Sequence, residues 1–108
     1  MDFNEYQQAA AKTAIYPQRM AVVYPTLGLA GETGEVAEKV KKTFRDNEGN
    51  FDDARREAIA AELGDVLWYL AMTARDLGYT FDEIAQMNVA KLASRKERAA
   101  LHGSGDNR

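Results

Sequence analysis

Two short acidic segments are the part of this sequence whose residue types and spacing could do chemistry. "GLAGETGEVAEKVKK", residues 28–42, carries Glu32, Glu35 and Glu38 at intervals of three. "AELGDVLWYLAMTA", residues 61–74, carries Glu62 and Asp65 at the same interval. In a helix, positions i and i+3 are surface neighbours, so each pair would present two carboxylates side by side. Taken alone, Glu32 and Glu35 read as a solvated helix face. Glu38 has Lys41 and Lys42 close by and lies off the apolar stripe, which assigns it to the surface. Glu62 and Asp65 differ, because almost every residue from 63 to 74 is apolar or small. Burying a carboxylate costs roughly several kcal/mol unless a positive group meets it. If the two segments pack antiparallel, the four carboxylates Glu32, Glu35, Glu62 and Asp65 can converge. A site of oxygen ligands without histidine or cysteine favours Mg²⁺ or Mn²⁺. A ferritin-like di-iron site is disfavoured, since its Glu-x-x-His element is missing. The competing reading keeps these acids as salt-bridge partners in a helical interaction module.

The elements that must position these residues follow from periodicity and punctuation. A first helix is expected from about Phe3 to Ile15, with Phe3, Tyr6, Ala10 and Ala14 on one side. "YPQRMAVVYP" follows as a connection between the only two prolines, and its "MAVVY" is a strand candidate without a partner. A second helix spans about Thr26 to Phe44, striped by Leu29, Val36, Val40 and Phe44. "RDNEGN" has the composition of a loop. The third helix runs from about Asp52 to Leu77, and Gly78 fits its stop. On a helical wheel Ile59, Leu63, Val66, Leu70 and Leu77 form one stripe, and Trp68 and Met72 lie nearly opposite with Tyr69 beside them. A helix apolar on both sides is expected to be buried on both sides. Gly31 and Gly34 each weaken the second helix by roughly 1 kcal/mol relative to alanine. Two glycines in one turn suggest a close approach by a helix or a ligand. Thr80 and Glu83 form a capping-box pattern that opens a fourth helix, which fades near Ala100 into the polar tail of residues 100–108. Short connections between such helices indicate an all-α bundle of four to five helices in one domain, residues 1–108.

The fourth helix holds a second anomaly. Phe81, Ile84, Ala85, Leu92 and Ala99 share one side, and Asn88, Lys91 and Arg95 fall on or beside it. Snorkelling, or pairing with the acids of the second and third helices, would explain two cations on a core-facing side. The other explanation is a polyanion in the acidic cleft, since lysine and arginine both suit phosphate oxygens.

Composition narrows the function classes. The chain has 108 residues with 45% hydrophobic, enough for a core without staples. Without cysteine there is no disulfide framework, zinc finger or thiol nucleophile. A single histidine, His102, leaves no material for a catalytic triad or a multi-histidine metal site. Seventeen acids against fourteen bases give a net charge of −3, which argues against a general nucleic-acid binder. No run is long and apolar enough to cross a membrane, and "MDFNEYQQAA" lacks a basic-then-apolar signal pattern. The expected location is therefore cytoplasmic.

"GLAGETGEVAEKVKK" followed by "AELGDVLWYLA" resembles the MazG-like nucleoside triphosphate pyrophosphohydrolases, and "NVAKLASRKERAALHGSGDNR" is similar to the end of their small single-domain members. The resemblance covers roughly residues 3–108. It implies an all-α enzyme that binds Mg²⁺, with Mn²⁺ able to substitute, through an E-E-x-x-E plus E-x-x-D pattern. Carried over residue by residue, Glu32, Glu35, Glu62 and Asp65 are the implied metal ligands. The first glutamate of the family's opening motif is Gly31 here. The implied reaction cleaves a nucleoside or deoxynucleoside triphosphate between the α- and β-phosphorus, giving the monophosphate and pyrophosphate. Lys91 and Arg95 would then stabilise phosphate charge, and Asn88 would fix sugar or phosphate. Trp68 and Tyr69 are candidates for base contact, against the alternative that they are core. The resemblance also implies a homodimer or homotetramer that completes the bundle. A phosphoribosyl-ATP substrate is the nearest alternative activity.

Overall fold

The architecture follows from how each helix starts and stops. The computed structural model describes residues 1–99 and 103–106. The end of the expected fourth helix at Ala100, His102, and the last two tail residues lie outside the described residues.

Helix α1, Phe3–Ala11, opens on a reciprocal capping box. The Asp2 carboxylate accepts from the Glu5 backbone N–H at 2.8 Å, and the Glu5 carboxylate accepts from the Asp2 N–H at 3.3 Å. The helix stops short of Ile15. The Thr13 hydroxyl donates to the Ala10 carbonyl at 2.8 Å, and the backbone tightens into i→i+3 bonds at Thr13 and Ala14. Pro17 then biases Tyr16 away from helical geometry.

"MAVVY" is not a strand. Gln18–Met20 form a single 3-10 turn, and Val22 takes a left-handed φ of 67°. Helix α2, Val23–Asn47, therefore begins earlier than Thr26. Pro25 falls in its first turn, where its missing N–H removes no helical bond. The helix also runs past Phe44, taking in the first half of "RDNEGN". It ends where Glu48 and Gly49 turn left-handed, at φ 55° and 76°, and the Gly49 N–H reaches back to the Thr43 carbonyl at 3.1 Å.

Helix α3, Asp53–Asp76, is capped by the Asp52 carboxylate, which accepts from the Arg55 N–H at 3.0 Å. Gly78, at φ 89°, stops it as expected. Helix α4, Phe81–Glu97, opens on the Thr80–Glu83 capping box that its sequence announces.

Helices α2 and α3 lie side by side and antiparallel. Val22 meets Asp76, Gly28 meets Tyr69, and Lys39 meets Glu62. Helix α1 packs across the C-terminal half of α3 and the start of α4. Ala10, Ala71, Met72 and Phe81 form the core there, with Tyr6, Leu67, Trp68 and Ile84 packed against it. Gln7 locks three helices together. Its amide donates to the carbonyls of Ala71 and Tyr79, both at 3.1 Å, and accepts from the Phe81 N–H at 3.1 Å.

The expected burial of α3 on both sides is not met within one chain. Met72 is fully buried, but Leu63, Leu70 and Leu77 of the opposite stripe are 53%, 37% and 56% exposed. Beyond its first turns α4 also leaves the core, so that Val89 and Leu92 are exposed. The radius of gyration, 16.6 Å, exceeds the roughly 13 Å of a compact chain of similar length. The result is an all-α four-helix bundle with an uncovered apolar side. Among the described residues, no helix is long and apolar enough to cross a membrane.

Candidate metal and nucleotide site

The antiparallel register of α2 and α3 sets the two acidic motifs against each other. Glu32, Glu62 and Asp65 each present a carboxylate oxygen, and the three oxygens lie within 4.8 Å of one another. Glu32 and Glu62 are half-buried, and Asp65 is exposed. Glu35, one turn along α2, is exposed and stands outside this group of three. Its charge still acts on Glu32. The Glu32 carboxyl is held above its ordinary range by partial desolvation, then by the charge of Asp65, a hydrogen bond and charge from Glu62, and the charge of Glu35. Among the described residues one cation meets the group: Lys39 Nζ lies 3.4 Å from Glu62 Oε1. The cluster is thus a set of hard oxygen donors with uncompensated negative charge. Such a donor set fits a divalent cation.

An open cavity of about 350 Å³ adjoins the acids, lined by Thr13, Glu32, Asp65, Trp68 and Tyr69. Its aromatic wall is fixed from both sides. The Trp68 indole N–H donates to Thr13 Oγ1 at 2.9 Å and to the Ala10 carbonyl at 3.3 Å. Tyr69 lies edge-on to Trp68, with ring centroids 4.9 Å apart, and tilted against Tyr24 at 6.3 Å. Tyr16 stacks on Tyr24 at 4.8 Å. The Tyr69 hydroxyl is pushed up by burial, then by Tyr24 and by the charges of Glu32 and Asp65. The aromatic wall and the two carboxylates line the same cavity.

Close approach occurs on α2, but not where the paired glycines suggest. A Cβ at Gly31 or Gly34 would meet nothing within 4 Å, whereas one at Gly28 would fall inside the Tyr69 ring. Gly28 is the residue that lets α3 bring Tyr69 onto the α2 backbone.

The α4 residues are placed differently. Asn88 is exposed. Lys91 and Arg95 pair with Asp106 of the tail, at 3.2 and 3.0 Å. Among the described residues, neither pairs with an acid of α2 or α3, so the expected internal pairing is not what holds them.

Thr13, Tyr24, Gly28 and Lys39 belong to this site and were not singled out by sequence reasoning. Lys39 had a usable signal, since it lies two turns beyond Glu32 on the same helical face. Thr13 and Tyr24 had none, because both reach the site through irregular chain or neighbouring rings.

Comparison with known proteins gives the chain a family. Residues 25–99 match the family described as the MazG nucleotide pyrophosphohydrolase domain. The matched span contains both acidic motifs. Along all of both chains, the sequence is similar to the "Gene 37 protein" of Mycobacterium phage L5, at 46% identity over 114 aligned positions. No solved structure matches.

Proposed function

Because the chain belongs to the MazG nucleotide pyrophosphohydrolase domain family, we propose that it is a Mg²⁺-dependent hydrolase of nucleoside or deoxynucleoside triphosphates, releasing monophosphate and pyrophosphate. The observation that carries this reading is the meeting of Glu32, Glu62 and Asp65 beside an aromatic-walled cavity. Glu32, Glu62 and Asp65 would hold the metal, and Glu35, which stands outside that group, would be a fourth ligand by its place in the acidic motif. Bound Mg²⁺, or Mn²⁺ in its place, supplies phosphate charge neutralisation and an activated water. The cavity has the size of a small-molecule site, for which roughly 300–1,000 Å³ is usual. Trp68 and Tyr69 offer flat apolar surface for a base, and the indole is held in place by Thr13. Lys91 and Arg95 take phosphate oxygens and Asn88 takes sugar or phosphate. The uncovered α3 stripe is the surface through which a homodimer or homotetramer completes the bundle. A cytoplasmic location suits this substrate.

Product analysis on a panel of nucleoside triphosphates, with Mg²⁺ and with Mn²⁺, tests the proposal. Monophosphate plus pyrophosphate is the expected outcome. Release of diphosphate and orthophosphate would place the attack on the γ-phosphorus and overturn it. Cleavage of phosphoribosyl-ATP alone would assign the site to that substrate, and no cleavage of either would leave a helical interaction module.

A further inference from the structure

Lys91 and Arg95 of α4 already hold an anion, and it belongs to the chain itself. One oxygen of Asp106, Oδ1, receives both Lys91 Nζ at 3.2 Å and Arg95 Nη2 at 3.0 Å. Arg95 Nη2 also lies 3.4 Å from the Gly105 carbonyl. The two partners are unequally enclosed. The Arg95 side chain is only 7% exposed, while that of Asp106 is 79% exposed. A surface carboxylate from the tail therefore reaches onto a buried guanidinium.

The fit is incomplete. Arg95 Nε is buried and, among the described residues, has no hydrogen-bond partner. An unmet buried donor is costly, and a charged one more so. A carboxylate that engages Nη2 alone leaves the fork of the guanidinium half used. A phosphate presents several oxygens and can engage Nε and Nη2 side by side, with Lys91 on a further oxygen.

We propose that Lys91 and Arg95 form an oxyanion pocket in which Asp106 stands in for a phosphate group, so that the tail competes with the polyphosphate chain of the substrate. The assignment of that chain to this pocket rests on the function proposed above; occupancy by Asp106 does not. Binding then exchanges one anion for another, and the tail carboxylate is released to solvent. Because Asp106 is an exposed tail residue, its replacement leaves the helices intact.

The test is binding of inorganic tripolyphosphate to the full chain by calorimetry, without metal, for the wild type, Asp106→Asn and Asp106→Asn/Lys91→Gln. Removing the competing charge is expected to tighten binding about threefold or more, in line with the worth of an exposed ion pair. The Lys91→Gln replacement should abolish that gain. Unchanged or weaker binding by Asp106→Asn would overturn the proposal, as would a gain that survives loss of Lys91. With a hydrolysed nucleotide, Asp106→Asn should lower KM and leave kcat unchanged. If no nucleotide is turned over but the tripolyphosphate gain is present, the pocket stands and the hydrolase reading falls. If turnover is normal with KM unaltered, the reverse holds.

Discussion

Asp65 and Asp76 lie on the same helix, and their carboxylates keep opposite company. Asp76 is surrounded by donors. It accepts from the Tyr16 hydroxyl at 2.6 Å and from the Val22 N–H at 3.0 Å, and Arg75 lies 3.1 Å away. Its side chain is only 5% exposed. Burial alone would raise its pKa, but the bonds from Tyr16, Val22 and Arg75 outweigh that and hold it below the ordinary carboxylate range. Asp65 is surrounded by acids. Glu32 and Glu62 crowd it, and among the described residues Lys39 pairs with Glu62 and not with Asp65. One carboxylate is satisfied by its own chain and the other is not. The difference separates an acid that holds the fold from an acid left among like charges. Asp76 also explains a local oddity. Val22, a β-branched residue at φ 67°, is strained by roughly 1–3 kcal/mol, and its N–H bond to Asp76 helps hold it there.

The largest effect should come from the unsatisfied acids. Asp65→Asn and Glu62→Gln keep shape and lose charge, so turnover is expected to fall by about 10²-fold or more. The metal-free variants should unfold at or above the wild-type temperature, since clustered like charges repel. Thermal unfolding with and without Mg²⁺, alongside turnover, checks both halves. Near-normal turnover would erase the distinction between the two aspartates.

Asp76→Ala should act on stability instead. It strands the Val22 N–H and the Tyr16 hydroxyl and is expected to cost about 2–3 kcal/mol at neutral pH. A depressed pKa in the folded state means that the charge-dependent stabilisation is complete above the unfolded value of about 4. It is lost as pH falls through the lower folded value. Denaturant titrations should therefore show the gap between wild type and variant narrowing below pH 4. A gap that stays constant into strong acid would show that the charge of Asp76 contributes nothing.

Tyr16→Phe probes the same contact more gently and should cost about 1 kcal/mol. Burial, then the bond and charge of Asp76, push the Tyr16 hydroxyl up to about 12. A raised pKa stabilises the fold fully below the unfolded value near 10, and that contribution disappears as pH rises toward 12. An absorbance titration of the phenolates should show the latest-titrating tyrosine of the wild type missing in Tyr16→Phe.

The smallest effect has the opposite sign. Gly31 lies in the interior of α2 with nothing within 4 Å of a would-be Cβ. Gly31→Ala should raise stability by about 0.5–1 kcal/mol through helix propensity alone. A loss measured in the oligomer but not in a dissociated chain would mean that a second subunit uses that space.

Caps and stops were legible because they are local. The Thr80–Glu83 box and the Gly78 stop depend on residues within one turn of each other, and the structure has them where the spacing puts them. The same local reading misplaced both ends of α2. Its start depends on Asp76, far along the chain, holding Val22 in a left-handed turn, and its end on Gly49 reaching back to Thr43.

For the site, residue spacing by itself determined that Glu32 and Glu35 share one helical surface and that Glu62 and Asp65 share another. It could not determine which members of the two pairs would meet. Only the antiparallel register of α2 on α3, set where the Tyr69 ring seats against Gly28, brought Glu32 to Glu62 and Asp65 and left Glu35 outside. It also placed Lys39 on Glu62 and Trp68 against Thr13, contacts that no intrahelical spacing encodes. The physical reason is range: helix periodicity fixes neighbours within about one turn, whereas a carboxylate's partners across a helix pair depend on how two surfaces of side chains interlock.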